Sequence, residues 1–527
     1  SLRTGEGGTF RTWGRGVWYL YAQDTFKAKP NLTINYGIRW ENFGAMREKY
    51  DRGSNFVPGI GVMVLNSNLR IDIDPTALGR AALILTPVSF KLSRSGQRAT
   101  DLNNFAPFLG IAYSPKFWRG LFGDGKTVIR TGFRLSYDDV FANIPVNMGL
   151  NAPQVLTTTL PTATYAWGTV LNQNRRLFNA DPTVQPQGER GLVSFNAWQF
   201  DPATAYAMNY ALEVERQIGN SFAAEISYVG SQGRKLGVFV DPNQPNVTIV
   251  NPAVRGDQAP NLRVFPFRQF AGIGLGSFTS NSNYNGMVAT LRKRPSHGLS
   301  FSASYEFGKT LDDNSSFFGS DRDFGSYANT KNRRLDYGRS GFDVRHRFAT
   351  SFIYDLPFGR NRAIGGWSLA GIVTHSSGFP FTTFAGTSFD YSGLNQFGDR
   401  PNWAPGVTSL PTNNGDPNNA FGCHSGAGNC PVFTQPLGGQ IGNVSRNAFE
   451  GPGQTNVDFG VMKSFPVGEG RRIQLRADFF NLFNHPQFNL PSSNIQFSGG
   501  VPTSSTVGTI GGDRTPRLIQ LALRFDW

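Results

Sequence analysis

Three observations predict an all-β chain, an antiparallel transmembrane β-barrel of the outer-membrane type: apolar and polar residues alternate in segments of bilayer-spanning length, short turns alternate with long polar loops, and aromatics are abundant while charge is sparse. The last segment shows the alternation most plainly. From Arg517 to Trp527 a side-chain period of two puts Ile519, Leu521, Leu523, Phe525 and Trp527 on one face and Gln520, Ala522, Arg524 and Asp526 on the other. One face suits lipid and the other suits water. The 527 residues include 45 Phe, 16 Tyr and 9 Trp, with 62 Gly and 32 Pro for turns and loops. Charged residues make up 16%, against roughly 25% in a typical soluble domain. An apolar content of 39% and the absence of any long apolar run exclude a bundle of membrane helices.

The segments follow one another in order. Trp18, Leu20 and Ala22 precede a turn at 27–31, after which Leu32, Ile34, Tyr36, Ile38 and Trp40 alternate with Thr33, Asn35, Gly37, Arg39 and Glu41. Phe105 to Tyr113 pairs with Thr127 to Tyr137, and Tyr206 to Arg216 pairs with Phe222 to Gly230. Tyr284 to Arg294 joins Leu299 to Phe307, His346 to Leu356 joins Trp367 to Thr374, Val457 to Phe465 joins Ile473 to Phe483, and Arg517 to Trp527 stands last. These about thirteen strands are each near the 9–11 residues that a tilted membrane strand requires. Long connections fall at approximately 42–104, 138–205, 231–283, 308–345, 375–455 and 484–516. Short periplasmic turns with long extracellular loops are the expected arrangement. An odd count that ends at the periplasm starts outside, whereas complete bacterial barrels have even counts, so earlier strands are expected upstream. The opening Ser1 agrees with a mature or truncated piece.

The net charge of +14 comes from singly scattered Lys and Arg, with no basic block or helix. This excludes a nucleic-acid stripe and suits a positive lumen or contact with anionic lipopolysaccharide. The chain's two cysteines, Cys423 and Cys430, lie in a Gly/Asn-rich loop and suit a local disulfide in an oxidising compartment.

Several segments carry a resemblance. Tyr21-Ala22-Gln23-Asp24-Thr25-Phe26 followed by Leu32 to Glu41 resembles the first hairpin motif of TonB-dependent outer-membrane receptors. Asn104 to Tyr113, Phe342 to Phe348, and Phe479-Phe480-Asn481-Leu482-Phe483-Asn484-His485-Pro486-Gln487-Phe488-Asn489 resemble the Oar-like branch of that family. The terminal Phe525 to Trp527 resembles the closing strand of outer-membrane barrels, whose final aromatic belongs to the assembly signal. The resemblance implies a barrel of about 22 strands with residues 1–527 as its C-terminal part, and plug and N-terminal domains absent from this chain. It further implies energised uptake of a large scarce solute, with the TonB system, outer-membrane lipid, lipopolysaccharide and the barrel-assembly machinery as partners, in the outer membrane of a Gram-negative bacterium. The rival reading is a non-energised barrel acting in surface adhesion or protein export.

No catalytic group or cofactor is expected. Gly120 to Thr127 matches the P-loop expression, but Thr127, Ile129, Thr131, Phe133, Leu135 and Tyr137 predict a strand where phosphate binding needs a helix. His297, His346, His375, His424 and His485 are dispersed, no metal-ligand spacing is present, and Cys423, His424 and Cys430 lack an obvious fourth ligand. No nucleophile elbow or Ser/His/Asp grouping is found. Asp138-Asp139 and Asp312-Asp313 stand at loop entrances as candidate ligands for Ca²⁺ or a cationic substrate or, preferably, as solvated loop acids or wall partners for arginine. Inward Arg39, Arg130, Arg134, Arg347, Arg476 and Arg524 are expected to pair with Glu41, Glu213, Glu215, Asp355, Asp478 and Asp526. Phe317, Phe318, Phe324, Tyr327, Tyr391 and Trp403 either stiffen the loops or stack on ligand, the first being preferred.

Overall fold

A backbone in hydrocarbon has to satisfy its polar groups within the protein, which for strands means continuous pairing with neighbours. The computed structural model meets that demand with one antiparallel meander. It describes the chain apart from residues 1, 6–10, 50–53, 59–60, 65–99, 124, 140–142, 150, 152–154, 159–192, 202, 259–262, 268–269, 320–324, 359–363, 387–388, 395–397, 410–415, 422–429, 469, 504–505 and 515. Thirteen strands pair in sequence order: β1 (Trp18–Lys29), β2 (Leu32–Asn42), β3 (Phe105–Tyr113), β4 (Thr127–Asp138), β5 (Ala205–Ile218), β6 (Phe222–Val240), β7 (Phe270–Ser296), β8 (Leu299–Asp312), β9 (His346–Asp355), β10 (Trp367–Ser376), β11 (Gln454–Pro466), β12 (Arg472–Phe480) and β13 (Leu518–Asp526). Among the described residues, β1 and β13 stand at the two ends of this path and are not paired with each other. No helix among them is long and apolar enough to cross a membrane.

Register keeps one parity from end to end. Ile38 lies opposite Ala22, Ile34 opposite Ile111, Leu109 opposite Phe133, Val214 opposite Ile129 and Ile226. The run continues with Phe301 opposite Phe352, Val457 opposite Val373, Phe479 opposite Phe459 and Ile519 opposite Phe479. The other face carries Arg39, Arg130, Arg134, Glu213, Glu215, Glu225, Arg292, Glu306, Arg347, Asp458, Arg476, Asp478, Arg524 and Asp526, all by the same alternation. A slip of one residue at any pairing would put guanidinium groups among the apolar side chains.

The short-turn ends are tight where the sequence supplies turn residues. Gly219, Gly298 and Gly468 take positive φ in three of these turns. At the apparent P-loop, residues Arg119–Phe122 make one helical turn, Gly123 and Gly125 follow at positive φ, and Thr127 opens β4. Asp124 lies outside the described residues. No helix follows these glycines to cradle phosphate.

Two strands outrun expectation. β6 reaches Val240 and β7 begins at Phe270, although 231–283 reads as loop because Gly and Ser dilute its alternation. The extension is held by what it buries: Val238, Ile273, Leu275 and Phe278 are each under a tenth exposed. A bulge between Gly233 and Leu236, with Lys235 at positive φ, separates the extension from the membrane-length part. Val193–Trp198 adds to it in parallel, opposite Phe270 to Gly276. A short helix, Asn143–Met148, covers this patch with Ile144 and Met148 against Trp198 and Phe278.

The parity assignment is testable on β13. Replacing Leu521 with Arg is expected to cost about 2–4 kcal/mol near the bilayer midplane, while Gln520→Asn should be tolerated. Outer-membrane yield and the heat-dependent gel shift of folded barrels measure this. A harmless Leu521→Arg beside a failing Gln520→Asn would reverse the faces.

Candidate functional site: the charged wall, the loop cap and the cavity between them

The polar face is a lattice of ion pairs. Arg39 meets Glu41 at 2.8 Å, Arg130 bridges Glu213 and Glu215, and Arg292 meets Glu225 at 3.3 Å. Arg476 holds Asp478 at 2.7 Å, while Arg472 and Arg524 share Asp526 at 2.6 and 2.7 Å. Such half-exposed pairs contribute little stability each, about 0–1 kcal/mol, so their main effect is to orient charge along the wall.

Arg134 and Arg347 depart from the expected pairing: Arg130 takes both Glu213 and Glu215, and Arg134 has no ion-pair partner among the described residues. Asp355 lies eight residues beyond Arg347 on the same strand, about 26 Å away at strand rise, and accepts instead from Ser368 at 2.5 Å. The acid across the register from Arg347 is Glu306, and its Oε1 accepts from the Tyr284 hydroxyl at 2.6 Å. Among the described residues Arg347 has no ion-pair partner.

Above the wall, the loops 241–269, 313–345, 377–453 and 481–517 pack into one cap. Phe381, Tyr391, Phe421, Phe433, Val444, Phe449, Ile495, Phe497 and Val507 form its core, in which Phe381 stacks on Phe421 at 5.8 Å. Each such side chain, buried, contributes about 1.5–3 kcal/mol. Cys430 is fully buried in this core and carries no free thiol. Cys423 and His424 lie outside the described residues.

Two buried arginines fasten the cap, Arg446 to the barrel and Arg400 from one cap loop to another. Arg446 reaches Asp312, at the end of β8, at 2.8 Å and also donates to the carbonyls of Asp312 and Asp336 at 3.2 and 3.0 Å. Arg400 pairs with Asp336 at 3.1 Å and donates to the Leu335 carbonyl at 3.0 Å. Gly442, with φ of 94°, lets the backbone pass so close to Arg400 that a Cβ would stand 1.8 Å from its carbonyl oxygen.

Three of the four candidate cation ligands are therefore spoken for. Asp312 serves Arg446, Asp313 accepts from Ser280 Oγ at 2.5 Å and from the Asn281 N–H at 2.9 Å, and Asp139 pairs with Arg15. Among the described residues no group of three or more His, Cys, Asp or Glu is placed to hold a metal. His346 bonds Tyr305 and His375 bonds Thr455, each at 2.8 Å. The loop aromatics behave as stiffeners: Phe317 and Phe318 pack on Phe239, and Tyr327 and Tyr391 are buried. Phe324 lies outside the described residues.

Between cap and wall lies a cavity of about 1010 Å³. Tyr284, Glu306, Arg347 and Asp458 line it from the wall, and Phe342 and Phe379 from the loops. Asp458 is held by Asn456 Nδ2 and the Asn481 N–H, both at 2.9 Å, so its carboxylate is fixed in place. The volume suits a solute at the upper end of the usual range of ligand pockets, about 300–1,000 Å³. Sequence reasoning found the inward charges but not this cavity, because its lining comes from eight separate stretches of chain.

A family model described as "Outer membrane beta barrel domain" matches residues 1–520. The chain belongs to this outer-membrane β-barrel family. Its place is the outer membrane of a Gram-negative cell, where the apolar face meets lipid and the charged face lines the lumen. No curated protein matches the sequence. Among solved structures, the outer-membrane transporter YddB from Escherichia coli is 9% identical with a TM-score of 0.48, the match covering 97% of this chain and 45% of that one. The ferripyoverdine receptor of the outer membrane of Pseudomonas aeruginosa is 9% identical with a TM-score of 0.40, covering 97% of this chain and 38% of that one. The barrel chain thus spans less than half the length of either structure.

Two expected outcomes concern the cap of this barrel. Arg446→Ala strands a buried Asp312 and should loosen the cap by about 3–5 kcal/mol. Limited proteolysis should then nick the cap loops at lower protease concentration while the gel shift of the folded barrel persists; unchanged proteolysis would count against the fastening role. Asp399 is buried beside Asp390, and burial pushes its carboxyl up to about 7 despite the Ser392 N–H that it accepts at 2.8 Å. Its folded form holds the proton that the unfolded form, titrating at 3.8, has already released. Cap stability should therefore be fully present below about pH 4 and fall as pH rises to about 7, and Asp399→Asn should remove that slope. Protease resistance of the cap across this range measures it.

Proposed function

We propose that this chain is the C-terminal part of a TonB-dependent transporter barrel of the Oar-like branch, which takes up a large scarce solute with energy delivered through upstream plug and N-terminal domains. The observation that carries the reading is the luminal cavity beneath the fastened cap, with the unpaired guanidinium of Arg347 facing into it. A structural wall would use its charges on one another, as Arg39, Arg130, Arg292, Arg476 and Arg524 do. A capped chamber with one cation left over suits transient binding of a solute on its way inward. The hairpin and Phe479 to Asn489 motifs support the family branch. On this reading β13 closes the barrel with Ile519, Leu521, Leu523, Phe525 and Trp527 toward lipid, lipopolysaccharide surrounds the cap, and the assembly machinery inserts the barrel. No step of the proposed activity makes or breaks a covalent bond, so the chain is read as a carrier and not an enzyme.

The second reading, a non-energised barrel for adhesion or export, draws on the size and packing of the cap, which is more than a solute gate requires. Purified full-length protein should bind the periplasmic domain of TonB in a pull-down. Absence of binding, together with solute flux in proteoliposomes that needs no energy source, would replace energised uptake with the rival.

We also infer that Cys430 is bonded to Cys423, the chain's other cysteine. Peptide mass spectrometry of exported protein after alkylation without reduction should recover the two cysteines as one cross-linked species. Two alkylated thiols would refute the pairing.

A further inference from the structure

A second concavity, of about 860 Å³, opens on the cap between the loops 241–269, 313–345 and 377–453. Asn246, Asn329, Lys331, Asn402, Trp403 and Asn443 are among its lining residues, and no Asp or Glu is. The four amides share one feature. Asn402 Oδ1 accepts the Asn443 N–H at 2.9 Å, and Asn443 Oδ1 accepts the Trp403 N–H at 2.8 Å. Asn329 Oδ1 accepts the Lys331 N–H at 2.9 Å, and Asn246 Oδ1 accepts from Lys331 Nζ. Every one of these partners is a donor, so the amide oxygens are fixed and the orientation is not interchangeable. The Nδ2 groups, with two N–H each, have no protein partner among the described residues.

The cleft therefore presents donors in excess. Four amide nitrogens without a protein partner and an ammonium belong to the lining of a space that holds no carboxylate to accept from a ligand. A neutral sugar matches this poorly, because each of its hydroxyls donates as well as accepts; a carboxylate only accepts. An inorganic anion would satisfy the donors but leave Trp403 unused. That ring is half-buried, stacked on Phe433 at 5.4 Å, and so held rigidly at the side of the cleft. A rigid aromatic beside polar donors suits the apolar face of a sugar ring. We propose that this cleft is an outer capture site for a saccharide carrying carboxylate groups, a polymer of sugar acids. The inference rests on the geometry of the cap and not on the transport reading, since adhesion would use such a site equally well.

The test is titration calorimetry on the full-length protein in detergent, with a galacturonate tetramer, a neutral galactose tetramer and inorganic phosphate as probes. The acidic tetramer should bind, with the neutral tetramer weaker by about tenfold or more. The double variant Asn402→Asp with Asn443→Asp keeps an oxygen to accept each backbone N–H and exchanges the free Nδ2 for an acceptor. It should lose about tenfold in affinity for the acidic tetramer while retaining the heat-dependent gel shift. Lys331→Gln should weaken the acidic tetramer and leave the neutral one unchanged. No binding of the acidic tetramer at millimolar concentration, wild-type affinity in the double Asp variant, or displacement of the tetramer by equimolar phosphate would each overturn the assignment. Because binding is read without any energy source, its outcome is separate from that of the TonB experiment.

Discussion

Parity of strand register is the constraint on which the rest depends. The twelve pairings along the thirteen-strand path keep one parity, so that the arginines and acids of the wall all fall on the same face. Since a strand has only two faces, a single one-residue slip would invert everything downstream of it. Hydrocarbon enforces the correct choice, because a guanidinium in lipid costs far more than the small stability that its ion pair supplies in the lumen. The wall's arginines therefore work in two directions. They pair with neighbours when inside, and they forbid the alternatives when outside.

The cap answers to a different demand. Its loops have no bilayer to order them, so they build a core of their own from Phe381, Phe421, Phe433 and Phe449 and fasten it with Arg446 and Arg400. These arginines are almost wholly enclosed, and several carbonyls and carboxylates share the task of replacing their water. A buried pair of this kind is a matter of specificity more than net stability. It selects one arrangement of long loops over the many that their Gly and Pro content would allow, and so holds open the chamber beneath.

The barrel strands were legible in the sequence because alternation over nine or more residues leaves few other interpretations. Phe105 to Tyr113 was bounded to the residue, and the charged pairs Arg39 with Glu41 and Arg476 with Asp478 follow from same-face spacing. What could not be read depends on contacts between distant segments. The upper part of β7 is rich in Gly and Ser and becomes strand only because β6 and Val193–Trp198 flank it. Parity puts Arg347 and Asp355 on one face, but distance along the strand keeps them apart, and Tyr284 has claimed the nearer acid. The orientations of Asn402 and Asn443 are invisible to any one-dimensional reading, since which end of each amide is spent is decided by a backbone N–H some forty residues away.

The hairpin of β6 and β7 also sets a height. From Phe270 to Asn283, β7 continues beyond its membrane-length part for fourteen residues, about 45 Å along the strand. Because Val193–Trp198 and the helix Asn143–Met148 brace it from the side, this length acts as a mast and not as a tether. The loops beside it are thereby carried beyond the membrane-length part of the wall. A bulky solute would meet the protein there before the membrane, and so would a phage or an antibody.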